Sequence, residues 1–384
     1  MTDRAAEVAA ALRADALPRP APDARERLAG RVRALLPLVA LYVASVAVAL
    51  GLCALLVSST GGSATRVFSA LLDGSVRSPG AWGLTITTAM PLLVVAVGTI
   101  VATKAGLVNI GQEGQLLLGA AGAAYVATRL EAPGPVLLAA AFASAAVIGA
   151  LWAGLAAIMK YWRAVPEVMS TLLLVFVAGN LTNFGLTRKW LLLSRARVVN
   201  NTNSGDPLPA AARLPKIHAF GNTVSGGVLL ALVLAGLAAI IVNRTVAGFR
   251  LRMLGLSPRT ARRAGVSALA YGGTAMLVSG GMAGLAGGMW LTSGIAGDRF
   301  TAGISSNIGW QGLLVALLAR DQPVAAVPMA LVFAGLRTGA GFLSATGVER
   351  RIADVVQAML VLALLVPPAV RAVQRHRAPK AAEA

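Results

Sequence analysis

A glutamate among amides and glycines stands in Gly106-Leu-Val-Asn-Ile-Gly-Gln-Glu-Gly-Gln115, between the apolar runs 84–103 and 116–128. A carboxylate at membrane depth is costly unless it is paired or lines an aqueous path. Glu113, with Asn109, Gln112 and Gln115, therefore marks a transport path or a gate. Glu113 is expected to be neutralised or paired at that depth, with Lys104 on the adjacent segment as its candidate partner. Gly106, Gly111 and Gly114 let backbones approach closely or let a helix break.

The chain offers little other chemistry. A membrane-embedded hydrolase would need an activated serine, a metal site or paired Asp. The two histidines, His218 and His376, fall in a loop and a tail, and Asp354 is the only Asp well inside an expected span. There is no Gly-Lys dipeptide, hence no phosphate-binding loop of the usual kind, so any ATPase must be another chain. Cys53 is the single cysteine, which rules out an intrachain disulfide and a cysteine metal centre. The chain is read as a non-enzyme, with no metal and no cofactor of its own.

Val165-Pro-Glu-Val-Met-Ser-Thr-Leu172 opens another apolar run. Pro166 suits the first turn of a helix, and Glu167 complements its dipole. Ser170 and Thr171 bond back to the backbone, cross to another helix or face the path. Glycines 280, 281, 284, 287 and 288 recur at helical spacings and read as close helix packing. Asn180, Asn183 and Gln357 read as interhelical hydrogen-bonding groups.

The elements that must position these residues follow from composition. Of 384 residues 57% are hydrophobic and 13% charged, and mean hydropathy is +0.74. A soluble chain of this length cannot bury so much apolar surface, so this is a polytopic membrane protein. The net charge of +19 then belongs to cytoplasmic loops and anionic lipid rather than to nucleic acid. Residues 1–34 hold seven Arg and five acidic residues and no apolar core, which reads as a cytoplasmic tail, with a short surface helix over 5–14, and not as a signal peptide.

Ten spans are expected, at 35–57, 84–103, 107–128, 135–159, 168–187, 226–242, 269–293, 308–319, 323–343 and 352–370. This gives a transmembrane domain over 35–370 and a second tail at 371–384, both termini being cytoplasmic. The loop 244–268 carries six Arg and no acidic residue and lies inside; 188–225, with six basic residues and one Asp, falls outside against that trend. Asn109-Ile-Gly-Gln-Glu-Gly114 is echoed by Asn307-Ile-Gly-Trp-Gln-Gly312, each opening an apolar run. Segments 2–5 and 7–10 would then be two inverted four-helix repeats, which adds Asn307 and Gln311 to the path residues.

The loop from Gly248 to Val266 is basic, with Ser257 and Pro258 placed to start a short helix that lies on lipid or docks into a soluble partner. At this point the chain resembles the permease subunits of bacterial ABC importers for nucleosides and simple sugars, within the branched-chain amino acid permease superfamily. The resemblance rests on 107–120, on Pro166-Glu-Val-Met-Ser-Thr-Leu-Leu173, on 248–265 leading into the glycine-rich segment, and on Gly309-Trp-Gln-Gly-Leu-Leu-Val-Ala-Leu-Leu-Ala319. It implies an all-α, type II importer-like permease that moves a nucleoside or related sugar across the plasma membrane by alternating access. The implied partners are an ABC ATPase holding ATP and Mg, a second permease, an extracellular substrate-binding lipoprotein and membrane lipid. It also implies an ATPase-coupling loop using Arg250, Arg252, Leu254, Gly255, Ala261, Arg263 and Gly265. Phe176 departs from the family, whose members carry Asn-Tyr slightly earlier. Branched-chain amino acid import and ion-coupled carriage are the alternatives.

Overall fold

The computed structural model describes residues 24–59, 63–195, 203–219 and 221–345, with parts of 355–370. It forms two units, Met1–Gly51 with Leu362–Ala384, and Leu52–Val361. Helix α1 (Ala24–Ser59) begins in the first unit, and its stretch Ala40–Ser59 is long and apolar enough to cross a membrane. The expected surface helix at 5–14 and tail at 371–384 lie outside the described residues, as does about half of the tenth expected span.

The second unit holds the site. After α2 (Ala64–Leu72) and a π-helical turn (Asp73–Arg77) come α3 (Ala81–Lys104), α4 (Gln112–Ala127), α5 (Gly134–Arg163) and α6 (Glu167–Gly185). A loop with strands β1 (Ser204–Pro207), β2 (Lys216–Ala219) and β3 (Asn222–Ser225) leads to α7 (Gly227–Arg244), and α8 (Val246–Leu256) and α9 (Pro258–Arg263) lead to α10 (Ala268–Thr292). Strand β4 (Arg299–Thr301), α11 (Ile308–Leu318) and α12 (Pro323–Ala345) follow. Among the described residues seven helices can span: the stretch of α1, then α3, α5, α6, α7, α10 and the part Pro323–Phe342 of α12.

One expected span starts later than read, and another is short, as read. The third was placed from residue 107, but 107–110 are non-helical and the helix starts at Gln112. The eighth has 11 helical residues, about 16 Å, roughly half a bilayer core. Both begin at the echoed motifs. The all-α reading also misses two small antiparallel pairs: β1 with β4 (Ser204 opposite Thr301, Pro207 opposite Arg299) and the β2–β3 hairpin.

Helices α3 and α10 form the interior, with 83% and 67% of their apolar windows buried. Glycine explains how closely α10 is packed. A Cβ on Gly284 would fall 2.2 Å from the Ala145 carbonyl of α5, and one on Gly119 of α4 would fall 2.4 Å from Gly284 Cα. No side chain fits there, so the glycine cluster is a packing surface, as read.

The strand-bearing loop is pinned by Asp206. Ser194 Oγ and the Arg195 amide donate to its Oδ1 at 2.6 and 2.8 Å. Burial pushes this carboxyl up, but those bonds and the charges of Arg195 and Arg129 outweigh it, so its pKa lies below the usual Asp value. The sign follows: the stabilisation is complete above the unfolded value near 3.9 and is lost as pH falls through the lower folded value. Hydrogen-exchange protection factors over 191–195 and 204–208, corrected for the intrinsic pH dependence of exchange, should therefore be unchanged from pH 8 to pH 5. Asp206→Asn at pH 7 should lower them about tenfold, the loss of one charge-assisted bond.

Candidate functional site

The first motif forms a buried polar cluster against the middle of α10. After α3 the chain turns at Gly106 (φ 75°) and runs back into the bundle without helical bonds. Side chains take over the pairing there. Asn109 Oδ1 accepts from the Gly111 amide at 3.0 Å and from Gln115 Nε2 at 3.1 Å; Asn109 Nδ2 donates to Gln115 Oε1 at 2.9 Å and to Ser279 Oγ at 3.0 Å. Ser279 lies midway along α10, so Asn109 sits at mid-depth. Gln112 Nε2 donates to Thr99 Oγ1 on α3 and, at 3.4 Å, to Ser279 Oγ. Gln112 Oε1 is buried and has no partner.

Helix α6 closes the other side. Thr171 Oγ1 accepts from the Ile110 amide at 3.3 Å and donates to the Glu167 carbonyl at 2.6 Å, while Ser170 bonds to its own helix. Thr171 thus crosses to another element and Ser170 does not. Pro166 is the N-cap and Glu167 the first residue of α6, and Glu167 pairs with Lys160 at the end of α5. Both belong to the α5–α6 corner.

The second motif meets the first head-on. Glu113, in the first turn of α4, accepts from the Gly309 amide at 2.7 Å (Oε2) and from the Asn307 amide at 3.2 Å (Oε1). Its partner is therefore the N-terminus of α11 and not Lys104; among the described residues no ion pair joins those two. The helix end carries unsatisfied amides and positive potential, which a carboxylate satisfies at no cost of a counter-cation. Asn307 is the N-cap, in a left-handed conformation (φ 67°), with no side-chain cap bond.

This arrangement separates the expected path residues into two kinds. Asn109, Gln112, Glu113, Gln115, Ser170 and Thr171 are all buried to 6% exposure or less and, Gln112 Oε1 excepted, bond to one another, to neighbouring side chains or to nearby backbone. They brace the joint in this conformation. Asn307 is exposed and Gln311 half-buried. Beside them is a residue the sequence reading passed over. Arg337 of α12 donates from Nη1 to the Ser306 carbonyl at 2.8 Å and to Gln311 Oε1 at 3.2 Å, and its guanidinium lies 5.8 Å from the Trp290 ring centroid. The signal was available: Arg337 is the only charged residue within 323–343.

The basic loop forms a second, outward site. Ser257 caps α9 and Pro258 takes its first position, as the sequence suggests, and Thr245 caps α8. Of the expected coupling residues, Leu254 and Ala261 are buried and, with Val266, form a small core. Gly255 faces inward too: a Cβ there would lie 2.4 Å from the Lys104 carbonyl and 2.9 Å from the Gly106 nitrogen. These three hold the loop to the bundle and offer no contact surface. Arg250, Arg263 and Gly265 are exposed, and Arg252 is half-buried. The tip is Leu256, the last residue of α8 and 88% exposed, with the exposed Arg259, Arg262 and Arg263 following in α9.

Comparison with known proteins is consistent with this geometry. Residues 83–365 match the family model described as branched-chain amino acid transport system / permease component. The guanosine ABC transporter permease protein NupP of Bacillus subtilis is 31% identical over 330 residues, 84% of this chain and 92% of that protein. The glucose ABC transporter permease protein TsgB13 of Haloferax volcanii is 32% identical over 293 residues, 74% of this chain and 76% of its own length. The nucleoside ABC transporter permease protein NupB of Lactococcus lactis is 28% identical over 299 residues, covering 76% and 80%. With a family model spanning most of its length and both echoed motifs inside the match, the chain belongs to the branched-chain amino acid transport system permease family.

Proposed function

We propose that this chain is the membrane-spanning subunit of an ATP-driven importer for nucleosides. The observation that carries the mechanism is the meeting of two half-helices: α4 and α11 start at mid-depth, and their N-terminal turns are joined through Glu113. Discontinuous helices whose N-termini converge near the midplane are the usual construction of a transport site built from inverted repeats. Segments 2–5 and 7–10 are the repeats, and ten spans complete the domain. The relatives named for guanosine and nucleosides support that solute class, beside one named for glucose.

In this reading that end of the bundle and both termini are cytoplasmic, which the six Arg of 244–268 support. A separate ATPase binds ATP and Mg and docks on the Leu256 tip. A second permease completes the path, and an external lipoprotein delivers the solute. The polar groups that meet the solute are Asn307, Gln311 and Arg337, which lie beside the α4–α11 joint and are at least partly accessible. A neutral, hydrogen-bonding solute suits them better than an apolar amino acid side chain.

The test is uptake of radiolabelled nucleosides, glucose and leucine by the complete assembly in proteoliposomes. Nucleosides are expected to be taken up in an ATP-dependent manner, with glucose and leucine at least tenfold slower. Arg337→Gln should lower nucleoside uptake about tenfold while the ATPase stays bound. ATP-independent uptake driven by an ion gradient would overturn the importer reading, and leucine uptake without nucleoside uptake would overturn the solute.

A further inference from the structure

We propose that the crevice bounded by α3, α7, α8 and α10 is a phospholipid site, holding one acyl chain of an anionic lipid whose phosphate lies on Arg250 and Arg244. The crevice is a cavity of about 320 Å³ walled by Val101, Leu237, Ile241, Leu251, Val278 and Met282, among other apolar groups. It runs along α10 from Tyr271 to Met282, about 16 Å at the helical rise. Leu237, Ile241 and Val278 are each about half exposed at its rim, so it opens sideways from the bundle. Water gains nothing in a dry apolar slot of this kind, whereas a hydrocarbon chain fills it favourably.

The ends of the crevice differ, and this selects the occupant. Its floor is α8, folded tightly under α7: a Cβ on Gly248 would fall 2.1 Å from the Ile241 carbonyl. There Arg250, exposed, donates from Nη1 to the Tyr271 hydroxyl at 3.0 Å, and Tyr271 lines the crevice. Arg244, also exposed, ends α7. No acidic residue occurs from 207 to 297, so α7, α8, α9 and α10 set no carboxylate against a phosphate; at the end of α3 Lys104 is basic, and the Asp321 carboxylate there accepts from Thr103 Oγ1 at 2.8 Å. An apolar slot of lipid-tail length with two arginines at its polar end fits a phospholipid of the basic-side leaflet. A helix of a second permease would cover the slot but leave these charges unanswered. The lipid bears on transport, because the same α8 carries the Leu256 tip, but the proposal does not depend on which solute is moved.

The test is native mass spectrometry of the complete assembly, purified in detergent from membranes containing phosphatidylglycerol and phosphatidylethanolamine. One phosphatidylglycerol is expected to be retained per copy of this chain. Ala247→Trp with Thr274→Trp fills the slot and should lower retention at least tenfold. Arg250→Gln, a surface change, should keep a lipid but lose most of the preference for phosphatidylglycerol. Absence of retained lipid, retention unaffected by filling, or an unchanged headgroup preference in Arg250→Gln would each overturn the proposal. So would efficient disulfide trapping of Leu237→Cys to a second permease, which would make the slot a subunit interface.

Discussion

Gly309→Ala is expected to abolish uptake. A Cβ at Gly309 would lie 2.5 Å from both Cα and N of Glu113 and 2.7 Å from its Oε2. Two of these are backbone atoms with no freedom to move aside, so α4 and α11 must part. Overpacking of this kind destabilises by about 1–3 kcal/mol or more. Separation also breaks the two charge-assisted bonds to Glu113, each worth about 1.5–3 kcal/mol. Glu113→Gln is the milder form of the same lesion: the shape is kept, but one carboxamide oxygen must serve two amides while its NH2 faces a helix N-terminus. It should fold and transport about 10–100-fold more slowly, the effect of losing roughly one such bond. Gly236→Ala is the control. Nothing lies within 4 Å of its Cβ, so uptake should persist and stability rise by about 0.5–1 kcal/mol. Thermal unfolding and proteoliposome uptake measured on all three decide the matter. Wild-type uptake in Gly309→Ala would mean that the α4–α11 contact is not part of the transport machinery.

The joint also indicates how so polar a cluster can sit inside a membrane protein. Thr171 and Asn109 accept from the Ile110 and Gly111 amides that the unwound stretch leaves without helical partners, and Gln115 and Ser279 hold the Asn109 carboxamide in place. Gln112 Oε1 has no partner. Leaving that acceptor unmet costs about 1–3 kcal/mol.

How much of this was legible beforehand depended on the kind of signal. Long apolar runs located the seven spanning helices to within about five residues, because hydropathy reports burial in lipid directly. The echo of 109–114 in 307–312 identified two related starts. It could not show that they touch, since contact between residues 194 apart is a property of packing. Lys104 was the natural partner for Glu113 by charge; backbone amides carry no letter in the sequence, so the true partner was invisible. The unwinding of 107–111 was hinted at by Gly106 and Gly111 but hidden by the apolar Leu107, Val108 and Ile110. In the basic loop, matching positions did not separate residues that hold the loop from residues that present a surface. Leu254 and Ala261 are core and Leu256 is the tip, a distinction that only the burial of α8 and α9 reveals.

That distinction makes the second large effect predictable. Leu256→Asp with Arg259→Glu and Arg263→Glu changes only exposed groups at the tip, so the chain should fold with unchanged stability. Binding of the ATPase, and with it transport, should fall more than tenfold, because an apolar anchor and its flanking charges are the usual centre of such an interface. Leu254→Ala removes a 4%-exposed side chain from the core with Ala261 and Val266, and should instead cost about 2–5 kcal/mol of loop stability. Gly255→Ala separates docking from transmission. Its Cβ would meet the Lys104 carbonyl at 2.4 Å and the Gly106 nitrogen at 2.9 Å, at the turn that feeds directly into Asn109. Leu251 packs on Ala105 and Leu107 at the same turn, so α8 has a second hold on it. Displacing that turn should leave the ATPase bound and hydrolysing while uptake fails. Loss of ATPase binding in Gly255→Ala would mean that the loop is only a dock; retained binding with lost uptake would place the mechanical link between nucleotide and solute at the contact of Gly255 with Gly106.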